Sequence, residues 1–297
     1  MTDVSVIIVN YNTAHLVTDA IHSVVSCTQG VSYEVIVVDN NSKEDAATVI
    51  HSQFPYVNVL ALNENLGFGK ANNAGARVAE GRNLLFLNPD TLLRNNAIKI
   101  LNDYLDSHTD VGACGGNLFN ADGEPAHSFK RVFPSLISET DAALKGIPFK
   151  IRYGNNTDFN HTGKPLEVAY VCGADLMVKR ELFESCGGFD KDIFMYYEDS
   201  LLCHTISKNK KKIVSLPAAE ITHLEGKSFI LNEKREEMIF NGREVFFSKV
   251  YSNAYHKTAN TFNKVMLLIA TALYKAIGKK ELASKFKYRY TLYTKTK

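Results

Sequence analysis

Cysteine is scarce in this chain, and the little there is does not pair. Cys27, Cys114, Cys172, Cys186 and Cys203 are scattered, odd in number and without a C-x-x-C. That pattern excludes a disulfide framework and a cysteine-built zinc site, and it suits reduced thiols in the cytoplasm. Long apolar runs are missing as well. No stretch reaches the ~20 residues of a spanning helix, and the Val4–Val9 run is too short for the core of a signal peptide. Neither G-x-G-x-x-G after a strand nor G-x-x-x-x-G-K-[ST] occurs, which removes Rossmann-type oxidoreductases and P-loop enzymes. Internal repeats and low-complexity linkers are absent too. Net charge is small, +2, but unevenly spread. Residues 264–297 carry nine Lys/Arg against Glu281 alone, which leaves −6 on the rest. A mildly acidic body argues against nucleic acid as a partner.

What the chain does have is a repeated apolar-strand, polar-turn, helix unit, in 297 residues that are 45% hydrophobic. The organising stretch is Leu84-Leu85-Phe86-Leu87-Asn88-Pro89-Asp90-Thr91, an apolar run that ends in a stiff polar turn. Such a run reads as a strand buried on both faces of a parallel sheet, and ligands bind beyond the carboxyl ends of those strands. Pro89 restricts itself and Asn88, so Asp90 is either an ordinary turn and capping residue or a carboxylate held where a hard cation bridges to phosphate. Strands are expected at Val4–Val9, Glu34–Val38, Val57–Leu62 and Asn83–Leu87, with helices from Thr13 to about Cys27, from Ser42 or Lys43 to Gln53, and over Lys70–Ala79. Alternation of this kind implies right-handed crossovers and a parallel sheet. The four strands end in NYN, DNNS, NENLGFG and NPD, which together make one pocket wall. A helix start near Phe68–Lys70 also offers amides to a phosphate, with Lys70 adding charge.

Further along, a helix is expected over Asn95–Ser107, a strand over Val111–Gly116 and a turn at Asp122-Gly123. Phe129–Lys164 reads as an irregular excursion over the active face, partly helical near Ser138–Lys145. Strands Glu167–Cys172 and Ala174–Val178 flank Gly173, a short helix follows, and a second helix starts at Glu198. Lys212–Leu216 and Glu220–His223 read as strand pieces, and the pattern beyond Asn232 is helical. Within the tail, Val265–Ala276 is apolar around most of its circumference and is followed by lysines interleaved with aromatics. It reads either as a helix packed on its own domain or as an interfacial anchor on an anionic inner-membrane surface.

Six stretches in order, VSVIIVNYN, VIVVDNNS, NLGFGKANNAG, FLNPDT, CGADLMVKRELFESCGGFD and YYEDSLLC, resemble the inverting glycosyltransferases of family 2. The NPD variant and the later H-x-x-G-x-S, with His223, Gly226 and Ser228, are most similar to the bacterial rhamnosyltransferase-like branch. The resemblance implies an α/β GT-A fold over residues 1–230, a mostly parallel central sheet flanked by helices, and a helical C-terminal extension over 231–297. It implies a nucleotide-diphosphate sugar donor, Mn2+ or Mg2+, and a saccharide or polyprenyl-diphosphate-linked acceptor in cell-surface polysaccharide synthesis. By the same resemblance Asp199 is the catalytic base, and Asp90 with His223 holds the metal. The donor is contacted by Val9, Asn10, Tyr11, Asn12, Asp39, Asn41, Gly67, Lys70, Asn72, Asn73, Asn88, Gly173 and Ala174. Asp175 and Glu198 face the acceptor. The first acid of the family's D-x-D is Asn88 here, and Ser200-Leu201 departs from the usual acid after E-D. A non-catalytic nucleotide-sugar-binding partner in a glycan assembly complex is the alternative. A nucleotidyltransferase fits poorly, because NYNTAH supplies no Gly-rich, basic phosphate loop.

Overall fold

Residues 2–224 and 232–295 are described by the computed structural model, so Gly226 and Ser228 of the late motif lie outside it. The chain begins with β1 (Val4–Asn10), α1 (Ala14–Cys27), β2 (Tyr33–Asp39), α2 (Ala46–His51), β3 (Asn58–Ala61) and α3 (Phe68–Val78). Then come β4 (Asn83–Leu87), β5 (Thr91–Leu93), α4 (Ala97–Ser107), β6 (Val111–Phe119), β7 (Phe129–Lys130), α5 (Leu136–Ala143) and α6 (Ile147–Tyr153). The second half holds β8 (Leu166–Val168), β9 (Tyr170–Val171), β10 (Asp175–Lys179), α7 (Arg180–Ser185), α8 (Glu198–Lys208) and β11 (Lys212–His223). Three long helices close it: α9 (Asn232–Val250), α10 (Asn253–Ala276) and α11 (Lys280–Lys295).

Two compact units emerge, Met1–Phe133 with Tyr153–Ile230, and Pro134–Arg152 with Leu231–Lys297. In the first, nine strands of the described residues form one sheet in the order β3-β2-β1-β4-β10-β6-β11-β5, with β8 on β11. The β3-β2-β1-β4 part is parallel, as alternating strands and helices require. The other part is mixed, with β11 parallel to β6. β10 runs antiparallel between β4 and β6, and β5 and β8 run antiparallel to β11.

Every residue of β1 is buried, and its alternate side chains feed two separate cores. Val4, Val6 and Ile8 join Val17, Ile21, Ile98 and Leu101 of α1 and α4 on one face. Ile7 and Val9 join Ala71, Ala74, Phe183 and Leu202 of α3, α7 and α8 on the other. Each fully buried isoleucine or leucine in such a core contributes about 1.5–3 kcal/mol of apolar burial. A sheet clad with helices on both faces can be approached by ligand only at its strand ends.

Two boundaries differ from the sequence reading for local reasons. α2 starts at Ala46 because Asp45, not Ser42, accepts the Thr48 amide at 3.1 Å. β11 is one long strand, with a register shift between Ser215 and Glu220, rather than two pieces.

The excursion read as irregular contains α5 and α6, and residues 134–152 cluster with the C-terminal helices rather than with the sheet. Inside that helical unit Arg243 is 4% exposed and is the hub. Its guanidinium bonds Glu139 (2.6 Å), Glu244 (2.6 Å) and Asn260 (2.6 Å), and lies 4.0 Å from the Phe247 ring centroid. Arg289 makes a two-pronged bond to Glu236 at 2.6 and 2.8 Å.

Candidate functional site

Pairing of β5 with β11 sets Thr91 opposite His223, so a histidine 133 residues further along the chain arrives beside Asp90. His223 Nε2 lies 3.3 Å from Asp90 Oδ1 and 3.3 Å from Asn88 Nδ2. Asp90 is 3% exposed, and the Leu224 amide donates to its carbonyl at 2.9 Å. The turn is braced from within, since the Thr91 hydroxyl donates to the Asn88 carbonyl at 2.6 Å. A carboxylate, an imidazole nitrogen and a neutral amide thus converge at the sheet's edge. That donor set suits a hard divalent cation that draws its remaining oxygens from phosphate and water. No group of three or more His, Cys, Asp or Glu able to hold a metal occurs among the described residues.

The second half of the site hangs on β10. Asp175 pairs with Leu87, which places the preceding Gly173-Ala174 beside the Asn88 turn. The Asn88 amide donates to the Ala174 carbonyl at 3.0 Å. One residue earlier, the Gly173 amide donates to Asp199 Oδ2 at 3.0 Å. The Asn88 backbone, two residues before Asp90, and the Asp199 carboxylate are therefore joined through one dipeptide whose α-carbons stand about 3.8 Å apart. A side chain at Gly173 would meet the Asp199 β-carbon at 3.4 Å and the Phe68 ring at 3.6 Å. Those are ordinary van der Waals distances, so the Gly173 backbone runs in close company with both side chains.

Asp199 opens α8 with Glu198. The backbone enters through Tyr196 and Tyr197, both at positive φ (70° and 73°), a conformation that costs a bulky residue energy and turns the helix start inward. Asp199 Oδ1 also accepts the Ser200 amide at 2.6 Å. Burial raises the Asp199 carboxyl above its ordinary range, and these two amides oppose the rise. Glu198 is 6% exposed and is pushed up to about 8 by burial and by Asp199 beside it. Its Oε2 has no hydrogen-bond partner among the described residues.

Not every expected site residue faces a cleft. Asp175 is fully buried within the sheet, not at an acceptor surface; its carboxylate accepts the Gly116 amide and is pushed up to about 7 by burial. Asn73 is wholly engaged by one backbone unit, with Nδ2 donating to the Phe189 carbonyl at 2.8 Å and Oδ1 accepting its amide at 2.9 Å. Asn72 is buried, with Nδ2 donating to the Phe68 carbonyl at 3.1 Å. Gly67, at φ +82°, is required by close approach: a β-carbon there would stand 2.2 Å from the Phe194 carbonyl oxygen. That same carbonyl accepts the Phe68 amide at 2.8 Å, so one amide at the α3 start is already occupied. Lys70, half-buried, follows on the first turn.

Ends of β1 and β2 are cross-braced. Val9 is buried, and the fully buried Asn10 donates to Asp39 at 2.9 Å and to the Ser42 hydroxyl at 3.0 Å while accepting from Thr13 at 3.1 Å. The Asn12 amide donates to the Ser42 hydroxyl at 2.9 Å, and the Ala14 amide at the start of α1 donates to Glu44 at 2.8 Å. With Asp45 capping α2, Asp39 is released from that duty and stands beside the exposed Asn41 and Tyr11. Two residues at this edge escaped the sequence reading. Asn40 bonds Asn65 (2.9 Å) and the Leu66 amide (2.8 Å), which ties the second turn to the third. His127, pushed down to about 4 chiefly by burial, lies close enough to His223 to feel its charge. Asn40 sat in plain sight within DNNS, whereas nothing in the sequence signalled His127.

Comparison with known proteins agrees with this geometry. The sequence model described as glycosyl transferase family 2 matches residues 5–187. An N-acetylglucosaminyl-diphospho-decaprenol L-rhamnosyltransferase of Mycobacterium tuberculosis is 30% identical over 203 residues, 64% of this chain and 66% of that protein. The chain thus spans just under two thirds of that relative's length. The rhamnosyltransferase WbbL of Escherichia coli K12 is 26% identical over 200 residues, 63% of this chain and 73% of its own. Among solved structures, Staphylococcus aureus TarS 1–349 in complex with UDP aligns with a TM-score of 0.55 at 17% identity, covering 92% of this chain and 72% of that one. That likeness shows the fold, the GT-A fold of glycosyltransferases.

Proposed function

The chain belongs to the family 2 glycosyltransferases, and from that premise we propose that it transfers a sugar, with inversion, from a nucleotide-diphosphate donor to a hydroxyl of a lipid-linked saccharide. The observation that carries this reading is the pair of hydrogen bonds through Gly173-Ala174, which links the Asn88 turn, where Asp90 and His223 meet, to Asp199. Asp90 and His223, with the Asn88 amide, would hold Mn2+ or Mg2+. When bound, such a cation neutralises charge developing on the leaving diphosphate.

The residues divide the remaining work. Asp199, oriented by the Gly173 and Ser200 amides, accepts the proton of the acceptor hydroxyl. The acceptor oxygen then forms its bond to the anomeric carbon as the bond to the diphosphate oxygen breaks from the opposite face. Asn10, Asp39 and Asn12 stiffen the turns against which the nucleoside would lie, and Tyr11 offers an exposed ring there. Gly173, beside Asp199, and Ala174, beside the Asn88 turn, would border the sugar.

A rhamnosyl donor and a polyprenyl-diphosphate-linked acceptor are supported by the names of the mycobacterial and Escherichia coli relatives. Both suit cell-surface polysaccharide synthesis at the cytoplasmic face of a membrane. Titration calorimetry with UDP-, dTDP- and GDP-sugars, with and without Mn2+, tests the site. One donor class is expected to bind, at least about tenfold tighter with the cation, and Asp90→Asn should abolish that gain. Donor binding indifferent to Mn2+ would contradict the metal assignment. Binding without transfer to any acceptor would favour a non-catalytic partner.

A further inference from the structure

One face of α10 is exposed among the described residues. Along α10, Val265, Leu268, Ile269, Leu273 and Ile277 are 49%, 49%, 46%, 60% and 63% exposed. Two exposed alanines, Ala272 and Ala276, fill the spaces between them. The spacing 265, 268, 269, 272, 273, 276, 277 is that of a single helical stripe, and the 1.5 Å rise per residue from 265 to 277 makes it about 18 Å long. The opposite side is the packed one. Tyr274, half a turn from Val265 around the helix, stacks on Phe286 of α11 with ring centroids 5.2 Å apart.

Charge is arranged around this stripe. Lys264 and Lys275 are eleven residues apart, three turns, and so flank the same side of it. Lys279 and Lys280 stand just past its end, and Lys287 is exposed on α11. None of these five has a carboxylate partner among the described residues, whereas Lys285 and Arg289 are committed to Glu236 at 3.3 and 2.6 Å. An apolar stripe edged by cations complements an anionic lipid surface. A second copy of the chain would bring like charges together along the same edge. No described helix is long and apolar enough to cross a membrane, which leaves lying on it.

We infer that the exposed face of α10 is a membrane-docking surface, seating the helix lengthwise among the headgroups of an anionic bilayer. Its branched side chains enter the acyl boundary, and Lys264, Lys275, Lys279 and Lys280 meet lipid phosphates. The inference is independent of which donor or acceptor the site uses.

Co-sedimentation of the full chain with vesicles tests it directly. Phosphatidylcholine vesicles containing phosphatidylglycerol should bind the protein at low salt, and pure phosphatidylcholine should bind it markedly less. Leu268→Glu/Leu273→Glu changes only half-exposed side chains; its circular dichroism and melting should match the parent while its partition to anionic vesicles falls at least about tenfold. Lys264→Gln/Lys275→Gln should weaken anionic binding alone. Absence of anionic binding, or unchanged binding by the leucine variant, would overturn the inference. So would a concentration-dependent dimer in solution that the leucine variant abolishes, because a second copy would then own the face.

Discussion

Asp199 and Glu198 are neighbours with different obligations. Asp199 is clamped by two amides that favour its charged form, whereas the free oxygen of Glu198 lacks a partner and burial pushes its carboxyl up to about 8. Burial raises both carboxyls, but Asp199 has the Gly173 and Ser200 amides to oppose the rise, a difference set by environment rather than residue type. The same physics has a cost in stability. In the unfolded chain Glu198 and Asp175 release their protons near pH 4, but the folded protein holds them to about 8 and about 7. The native state thus binds more protons than the unfolded state between those values, so stability falls as pH rises from about 5 to 8. Thermal melts across that range should show the decline, and Glu198→Gln, which cannot ionise, should flatten it above pH 7. The sequence showed both carboxylates but not their burial, because burial of Asp175 depends on β10 being an inner strand.

At the scale of elements, the segment Phe189–Tyr197 is the strap that carries α8 to the site. It closes onto α3 through Gly67, through Asn73's double bond to Phe189, and through Gly69, where a β-carbon would lie 3.0 Å from that of Phe189. The helix start near Phe68–Lys70 is the expected phosphate site, with the glycines of LGFG beside it. Sterically they admit the strap's backbone. Gly67→Ala places a β-carbon on the Phe194 carbonyl at positive φ, a strain of about 1–3 kcal/mol. It should lower the melting temperature by a few degrees and reduce transfer through displacement of Asp199, with little change in donor affinity. Strand and helix types along residues 4–107 were legible because apolar periodicity and turn residues agree there. The β11 bulge was not, since register is fixed by pairing with β6, β5 and β8 rather than by local composition. Yet that register is what delivers His223 to Asp90, so their pairing was legible only through family resemblance.

For the whole molecule, the informative departure is residues 134–152. Their sequence looks like a loop on the catalytic domain, with Pro134, Pro148 and Gly154 as punctuation, but Glu139 is the partner of a buried arginine 104 positions later. Long-range ion pairs leave no periodic trace in a sequence. Arg243→Met removes the cation, strips Glu139 of its partner and leaves Glu244 with His256 and Asn260, in a partly buried place, which should cost about 3–5 kcal/mol. Limited proteolysis should then cut first within the helical unit, while donor binding by the sheet unit persists. The central claim, that two distant carboxylates divide one transfer reaction between them, is tested most directly on the intact chain carrying Asp199→Asn. Donor affinity in the presence of Mn2+ and single-turnover transfer should be measured on the same preparation. The account predicts unchanged donor affinity and transfer reduced by about 10²–10⁴-fold. Near-parental turnover in that variant would remove Asp199 from the mechanism.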